Sequence, residues 1–237
     1  MNDTEPRDDI HKKRRLSRRW IIAGGAGIIA VAVVVVILLF RSTKPSLLTA
    51  DKLDSALLGV EQINTIMNTS NMQLDKPASA PAEPTVALSK PNCLGALTAA
   101  QATTYHNTDY TGFRFTEART PGKHIDHYVA QAIAVFPSAE KAETFVQNSA
   151  DQWNICATKT VIVMQHDKSI NSWQIGTVVG NPPNITLSDV RKDVANWKCQ
   201  RALRAVSNAV IDATACGFAI DDQGKSIADQ IAVKIST

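Results

Sequence analysis

The sequence has no cysteine before Cys93 and no C-x-x-C pair among its four cysteines. No ionisable side chain falls anywhere in residues 20–40. Without C-x-x-C spacing, a thioredoxin-like redox site is excluded and a zinc ribbon has no support. No G-x-S-x-G elbow occurs, so a hydrolase nucleophile has no local basis. The apolar run ends Leu38-Leu39-Phe40-Arg41 without a small-x-small cleavage site, which argues against a removed signal peptide. No cysteine follows it closely, so a lipoprotein anchor is excluded too. Aromatic residues make up only 5% of the chain.

What is present begins with that run, WIIAGGAGIIAVAVVVVILLF, of 21 residues. As a helix it reaches about 31 Å, the thickness of a bilayer's hydrocarbon core. Trp20 suits a headgroup-level anchor at one end, and Arg41 with Lys44 marks the other. The basic cluster His11-Lys12-Lys13-Arg14-Arg15-Leu16-Ser17-Arg18-Arg19 lies directly before it. The positive-inside bias therefore predicts a cytoplasmic tail at 1–19, a single span at 20–40 and an extracytoplasmic remainder. Beside a span, this cluster reads as a topology signal and a contact for anionic lipid, with no nucleic-acid partner. Net charge of +3 mostly reflects this tail and says little about the outer domain's partners.

All four cysteines, Cys93, Cys156, Cys199 and Cys216, fall on the predicted outer side. An even number in an oxidising compartment predicts two disulfides. Residues 41–91 read as a juxtamembrane helix, over about 47–67, followed by a proline-rich linker at 75–91. The folded domain is then expected over 92–237. Strands are predicted at 112–118, 128–136, 159–165, 173–179 and 185–194. A helix capped by Ser138 runs to about Trp153, and a closing helix covers 226–235. The pattern predicts an α+β fold: an antiparallel sheet flanked by helices, with two disulfides, preceded by one transmembrane helix.

The segment 198–216 gives a geometric test. A two-residue turn at Ser207-Asn208 sets Val206 opposite Ala209 and Cys199 opposite Cys216. That pair lands on a non-hydrogen-bonded position, where Cα atoms approach to about 4.5 Å and a cross-strand disulfide fits. Arg201 and Asp212 become near-diagonal neighbours on one face. Cys93 and Cys156 remain to form the other bond, in one of the three connectivities that four cysteines allow.

Several local motifs occur in a characteristic order. They are Asn92-Cys93-Leu94-Gly95-Ala96, Asp126-His127-Tyr128-Val129, Val135-Phe136-Pro137-Ser138-Ala139, Gln152-Trp153, Trp197-Lys198-Cys199-Gln200-Arg201-Ala202-Leu203 and Asn208-Ala209-Val210-Ile211-Asp212, leading to Ala215-Cys216-Gly217. Together they resemble the PknH-like extracellular sensor domain of mycobacterial receptor Ser/Thr kinases and of stand-alone membrane proteins. The resemblance implies an α+β domain with Cys93–Cys156 and Cys199–Cys216 bonds and a cleft for an unidentified extracellular ligand. With some 19 residues predicted inside and no Gly-rich phosphate loop, this chain is expected not to be a kinase itself.

Clefts for small molecules combine apolar rings with a few polar groups. Tyr128, Trp153, Trp173 and Trp197 are therefore the expected ligand-binding residues, with Arg201 as an orienting charge. His124-Ile125-Asp126-His127 lacks the spacing of zinc motifs, so no metal and no cofactor is expected. The resulting expectation is a non-enzymatic, membrane-anchored domain that binds a cell-envelope lipid or glycan. The alternative is a protein-interaction or scaffold module of the envelope, accessory to a receptor kinase.

Overall fold

The computed structural model describes residues 47–237. The basic tail and the apolar span predicted at 1–19 and 20–40 lie outside the described residues. Among the described residues, no helix is long and apolar enough to cross a membrane. In chain order come α1 (Leu53–Ala56), α2 (Val60–Met67), β1 (Gln73–Leu74), β2 (Ala87–Leu88), α3 (Leu94–Leu97) and α4 (Ala102–Tyr105). They are followed by β3 (Gly112–Arg119), β4 (His127–Val135), α5 (Ala139–Cys156), β5 (Thr160–Met164), β6 (Ile170–Ile175) and β7 (Val179–Asn181). β8 (Asn184–Arg191), β9 (Lys198–Val206), β10 (Ala209–Gly217) and α6 (Gln223–Ser236) complete the chain.

The strands form one antiparallel sheet in the order β1-β3-β4-β10-β9-β8-β6-β5-β2, with β7 beside β8. Successive side chains alternate between its faces. One face carries Phe113, Ala130, Ala132, Ala134, Leu203 and Val210 against α3, α4 and α5. The other carries Ile133, Ala202, Ile211 and Ala213 against α1, α2 and α6. Small residues at the sheet's centre let helices approach closely on both sides. Ala130, Ala132, Ala134, Ala209, Ala213 and Ala215 are all fully buried.

Each long helix has a local cause. The Ser138 side chain accepts from the Lys141 N–H at 3.2 Å and caps α5, whose Ala142, Phe145, Val146, Ser149 and Trp153 turn inward. Ile227, Ala228, Ile231 and Ala232 repeat at the spacing that keeps one stripe of α6 on the sheet. The β9–β10 register has Val206 opposite Ala209 and Cys199 opposite Cys216, as the turn at Ser207-Asn208 requires. The two disulfides are Cys93–Cys156 and Cys199–Cys216, the latter with a Cα separation of 4.0 Å.

Two expectations need correction. Residues 47–91 do not stand apart as a helix and linker, because the compact unit runs from Ser46 to Thr237. Leu53, Leu58, Ile63 and Met67 are core residues, and the buried Gln131 amide holds both the N–H and the C=O of Leu58. The helix expected over 47–67 breaks at Leu57, whose extended backbone separates α1 from α2. The proline-rich stretch supplies β2, which pairs with β5, and Ala82, which bridges to Gln101. The second correction concerns β6, which occupies Ile170–Ile175 rather than 173–179. Gly176 ends it: a Cβ there would sit 2.2 Å from the Ser188 carbonyl oxygen.

The chain enters the unit at the β9–β10 turn. Leu48 N–H donates to Asn208 Oδ1 at 2.8 Å, and Asn208 Nδ2 donates to the carbonyls of Leu48 and Phe136 at 3.1 and 2.9 Å. One buried amide thus joins the entering chain, the turn and the end of β4.

Candidate functional site

At the opposite end of the strands the sheet is not fully covered, and a cavity of about 770 Å³ opens there. That volume lies within the range of small-molecule sites. It runs across the sheet from Arg119 on β3, past Tyr128, the Cys199–Cys216 disulfide and Trp197, to Trp173 and Val163 on β6 and β5. The disulfide follows from the hairpin register and forms part of the floor. Trp197 meets Phe218 edge to face, with ring centroids 5.1 Å apart. Phe218 is 49% exposed and Ile125 40%, so large apolar side chains stand in the open mouth. The Tyr128 hydroxyl donates to Glu117 Oε1 at 2.6 Å, and burial, with the Glu117 charge second, raises its pKa well above the ordinary phenol range.

Leu94, Leu97 and Thr98 form the wall over this floor. A buried polar cluster fixes that wall. Arg201 and Asp212 form an ion pair at 2.7 Å, with side chains 1% and 2% exposed. Asp212 Oδ2 also accepts from the Ala100 N–H at 2.9 Å and from the Tyr105 hydroxyl at 3.0 Å. Arg201 donates to the carbonyls of Gly95 and Ala213 at 3.0 and 2.6 Å, and the Thr214 hydroxyl accepts from the Ala99 N–H. The Arg201 guanidinium lies 5.1 Å from the Trp153 ring centre. Every donor of this arginine that could orient a ligand already serves α3 and β10.

The expected ligand-binding residues therefore separate into two groups. Tyr128, Trp173 and Trp197 line one cavity, whereas Trp153 and Arg201 are joined to each other in the core and do not face it. Residues that sequence reasoning passed over include Arg119, Lys123, Ile125, Arg191 and Phe218. Their signal was faint: a loop with Lys123-His124 beside an apolar Ile125, and a phenylalanine directly after the Cys216-Gly217 pair. Among the described residues no cluster of His, Cys, Asp or Glu suits a metal ion.

Beside the floor lies an orphaned carboxyl. Asp189 is opposite Cys199 on β9 and Ile175 on β6 and is fully buried; among the described residues neither oxygen makes a well-formed hydrogen bond, the Gly176 N–H lying near it without full geometry. Burial pushes its pKa well above the ordinary carboxylate range; the nearby Arg201 charge opposes the rise only in part.

Residues 48–235 match the family model for the PknH-like extracellular domain. The chain belongs to that family. It is 35% identical over 229 residues to the serine/threonine-protein kinase PknH of Mycobacterium bovis, covering 94% of this chain and 38% of that protein. The identity to PknH of Mycobacterium tuberculosis is also 35%, over 36% of its length. The chain thus spans less than two-fifths of these curated relatives. The crystal structure of the extracellular domain of PknH from Mycobacterium tuberculosis superposes with a TM-score of 0.77 at 37% identity. That match covers 81% of this chain and 98% of the solved domain. The antiparallel sheet, its helices and both disulfides are thereby those of a PknH-like extracellular domain, and residues 48–235 have an extracytoplasmic setting.

Proposed function

We propose that this PknH-like domain is a non-enzymatic sensor that binds a cell-envelope ligand, a lipid or a glycan, in the cavity floored by the Cys199–Cys216 disulfide. The observation that carries this reading is the cavity itself. It has Trp173, Trp197 and Tyr128 in its floor and charged groups at its rim, the pairing that binds small molecules with both affinity and orientation. Residues 20–40 tether it to the cell membrane as a single span, with residues 1–19 in the cytoplasm, and occupancy passes to a partner protein by lateral contact. The test is a thermal-shift screen of the purified outer domain against envelope extracts. A ligand that binds only the folded state stabilises it, by about 2.7 kcal/mol at a hundredfold excess over Kd. A fraction that raises Tm in the native domain but not in Trp173→Ala supports the reading. No shift with any fraction overturns it.

A second reading has its own observation. On the face turned from the cavity, β5, β6 and β8 expose Ile162, Met164, Ile170 and Val190, with Met164 directly paired to Ile170. Among the described residues no helix covers this apolar stripe, which suits a protein-interaction module of the envelope, accessory to a receptor kinase. Whole-cell crosslinking from position 170 separates the two: one recurrent protein, with no ligand effect on Tm, favours the interaction module.

A further inference from the structure

The cavity's lining has a direction. At the β3–β4 end lie Arg119, Lys123 and His124, with Asp126 as the one carboxylate that the described residues bring to the lining. Their states differ. Arg119 is held by Asp75 at 2.6 Å, and at the far rim Arg191 is held by Asp193 at 2.8 Å. Among the described residues Lys123 and His124 pair with no carboxylate, and both are exposed on the hairpin loop. Unpaired cationic side chains are therefore confined to one end of the cavity, where the exposed Asp126 carboxylate likewise makes no ion pair among the described residues. Away from that end the lining turns apolar: Leu94, Leu97, Val163, Trp173, Val194 and Trp197.

The length of the cavity matters as much as its polarity. From β3 to β5 the sheet order counts six strand spacings, roughly 29 Å along the surface. A free anion would occupy only the loop end and leave the Trp-lined floor wet. An uncharged apolar chain would gain nothing from Lys123 and His124. The occupant that satisfies both ends carries an acidic head and a long apolar body.

Building on the sensor reading above, we infer that the cavity takes an anionic amphiphile, its acidic head beside Lys123 and His124 and its apolar chain laid over Trp197 and Trp173 toward Val163. The head could come from a phosphate-bearing or a carboxylate-bearing envelope lipid; the two share the same recognition chemistry here.

The isolated domain is the right material, because residues 46–237 form one compact unit and a relative's counterpart was crystallised as a domain. Four probes are titrated below their micellar concentrations: dodecyl phosphate, dodecyl maltoside, dodecyltrimethylammonium and inorganic phosphate. Dodecanoate, added as a fifth, separates a phosphate head from a carboxylate one. Tryptophan fluorescence and calorimetry follow binding. The expected result is one-to-one binding of the anionic amphiphiles, at least tenfold tighter than the cationic one, with inorganic phosphate inert. Adding salt weakens the anionic probes and leaves the maltoside unchanged, as an exposed charge contact requires. The double variant K123E/H124E, on a surface loop, keeps its Tm and loses about tenfold in dodecyl phosphate affinity, while maltoside affinity stays. Trp173→Ala weakens all chain-bearing probes alike. Equal affinity for anionic and cationic amphiphiles overturns the head assignment and leaves the cavity reading standing. Loss of affinity in Arg191→Glu but not in K123E/H124E reverses the direction and overturns it too. If no amphiphile binds while an envelope fraction still shifts Tm, the amphiphile falls and the sensor role survives.

Discussion

Arg201 and Asp212 meet diagonally across adjacent strands at 2.7 Å, both almost wholly buried, and between them they hold the backbone of Gly95 and Ala100. Their pairing thus sets where α3 lies over the cavity. Removing one partner strands the other's charge. Asp212→Ala, which orphans Arg201, the Tyr105 hydroxyl and the Ala100 N–H together, is expected to cost about 3–5 kcal/mol in urea unfolding. A loss below 1 kcal/mol would show that the cluster relaxes without consequence.

The two disulfides close loops of different length, 63 residues for Cys93–Cys156 and 17 for Cys199–Cys216. Chain-entropy arguments put their contributions at about 4 and about 3 kcal/mol. The double-serine variant at Cys93 and Cys156 is therefore expected to melt lower than the one at Cys199 and Cys216. The latter, however, disturbs the cavity floor and is expected to alter ligand-induced Tm shifts more. Differential scanning calorimetry with and without ligand checks both orderings.

Asp189 predicts a pH dependence whose sign is fixed by burial. Its carboxyl holds a proton more tightly in the folded chain than in the unfolded one. Its contribution to stability is complete below the unfolded pKa, about 3.9, and is lost as pH rises from there through the raised folded value. Asp189→Asn keeps the shape and cannot ionise. Relative to the native domain it is expected to gain stability as pH rises above about 4, until the folded carboxyl itself ionises, and a difference that stays constant from about pH 4 upward would refute the assignment.

Gln131 replaces a backbone partner. Its amide satisfies both polar groups of Leu58 from the centre of β4, with no exposure to water. Gln131→Leu conserves bulk but leaves that N–H and C=O unpaired, at about 1–3 kcal/mol each. Hydrogen exchange should show the loosening concentrated in α1 and α2, not spread evenly over the sheet.

Legibility in the sequence followed from how local the causes were. The β9–β10 hairpin was readable because a two-residue turn and strict alternation settle every pair, Cys199–Cys216 and the Arg201–Asp212 neighbourhood included. Helix α5 was readable from Ser138 and its inward stripe. Residues 68–91 were not, since β1 and β2 are two-residue strands that exist only because β3 and β5 offer edges to pair with. The site was half legible. Tyr128, Trp173 and Trp197 lie on the cavity, but nothing in composition distinguishes them from Trp153 on α5, whose partner Arg201 arrives from β9. Whether an aromatic ring meets a groove or a guanidinium is decided by which elements pack around it, and that is settled only in three dimensions.

The Asn208 clamp separates two kinds of disturbance. It ties Leu48 to Phe136, and Tyr128 stands eight residues earlier, roughly 27 Å away along β4. Fraying of the first described residues is therefore felt at the turn end of the sheet, while the cavity at the other end of the same strands keeps its lining.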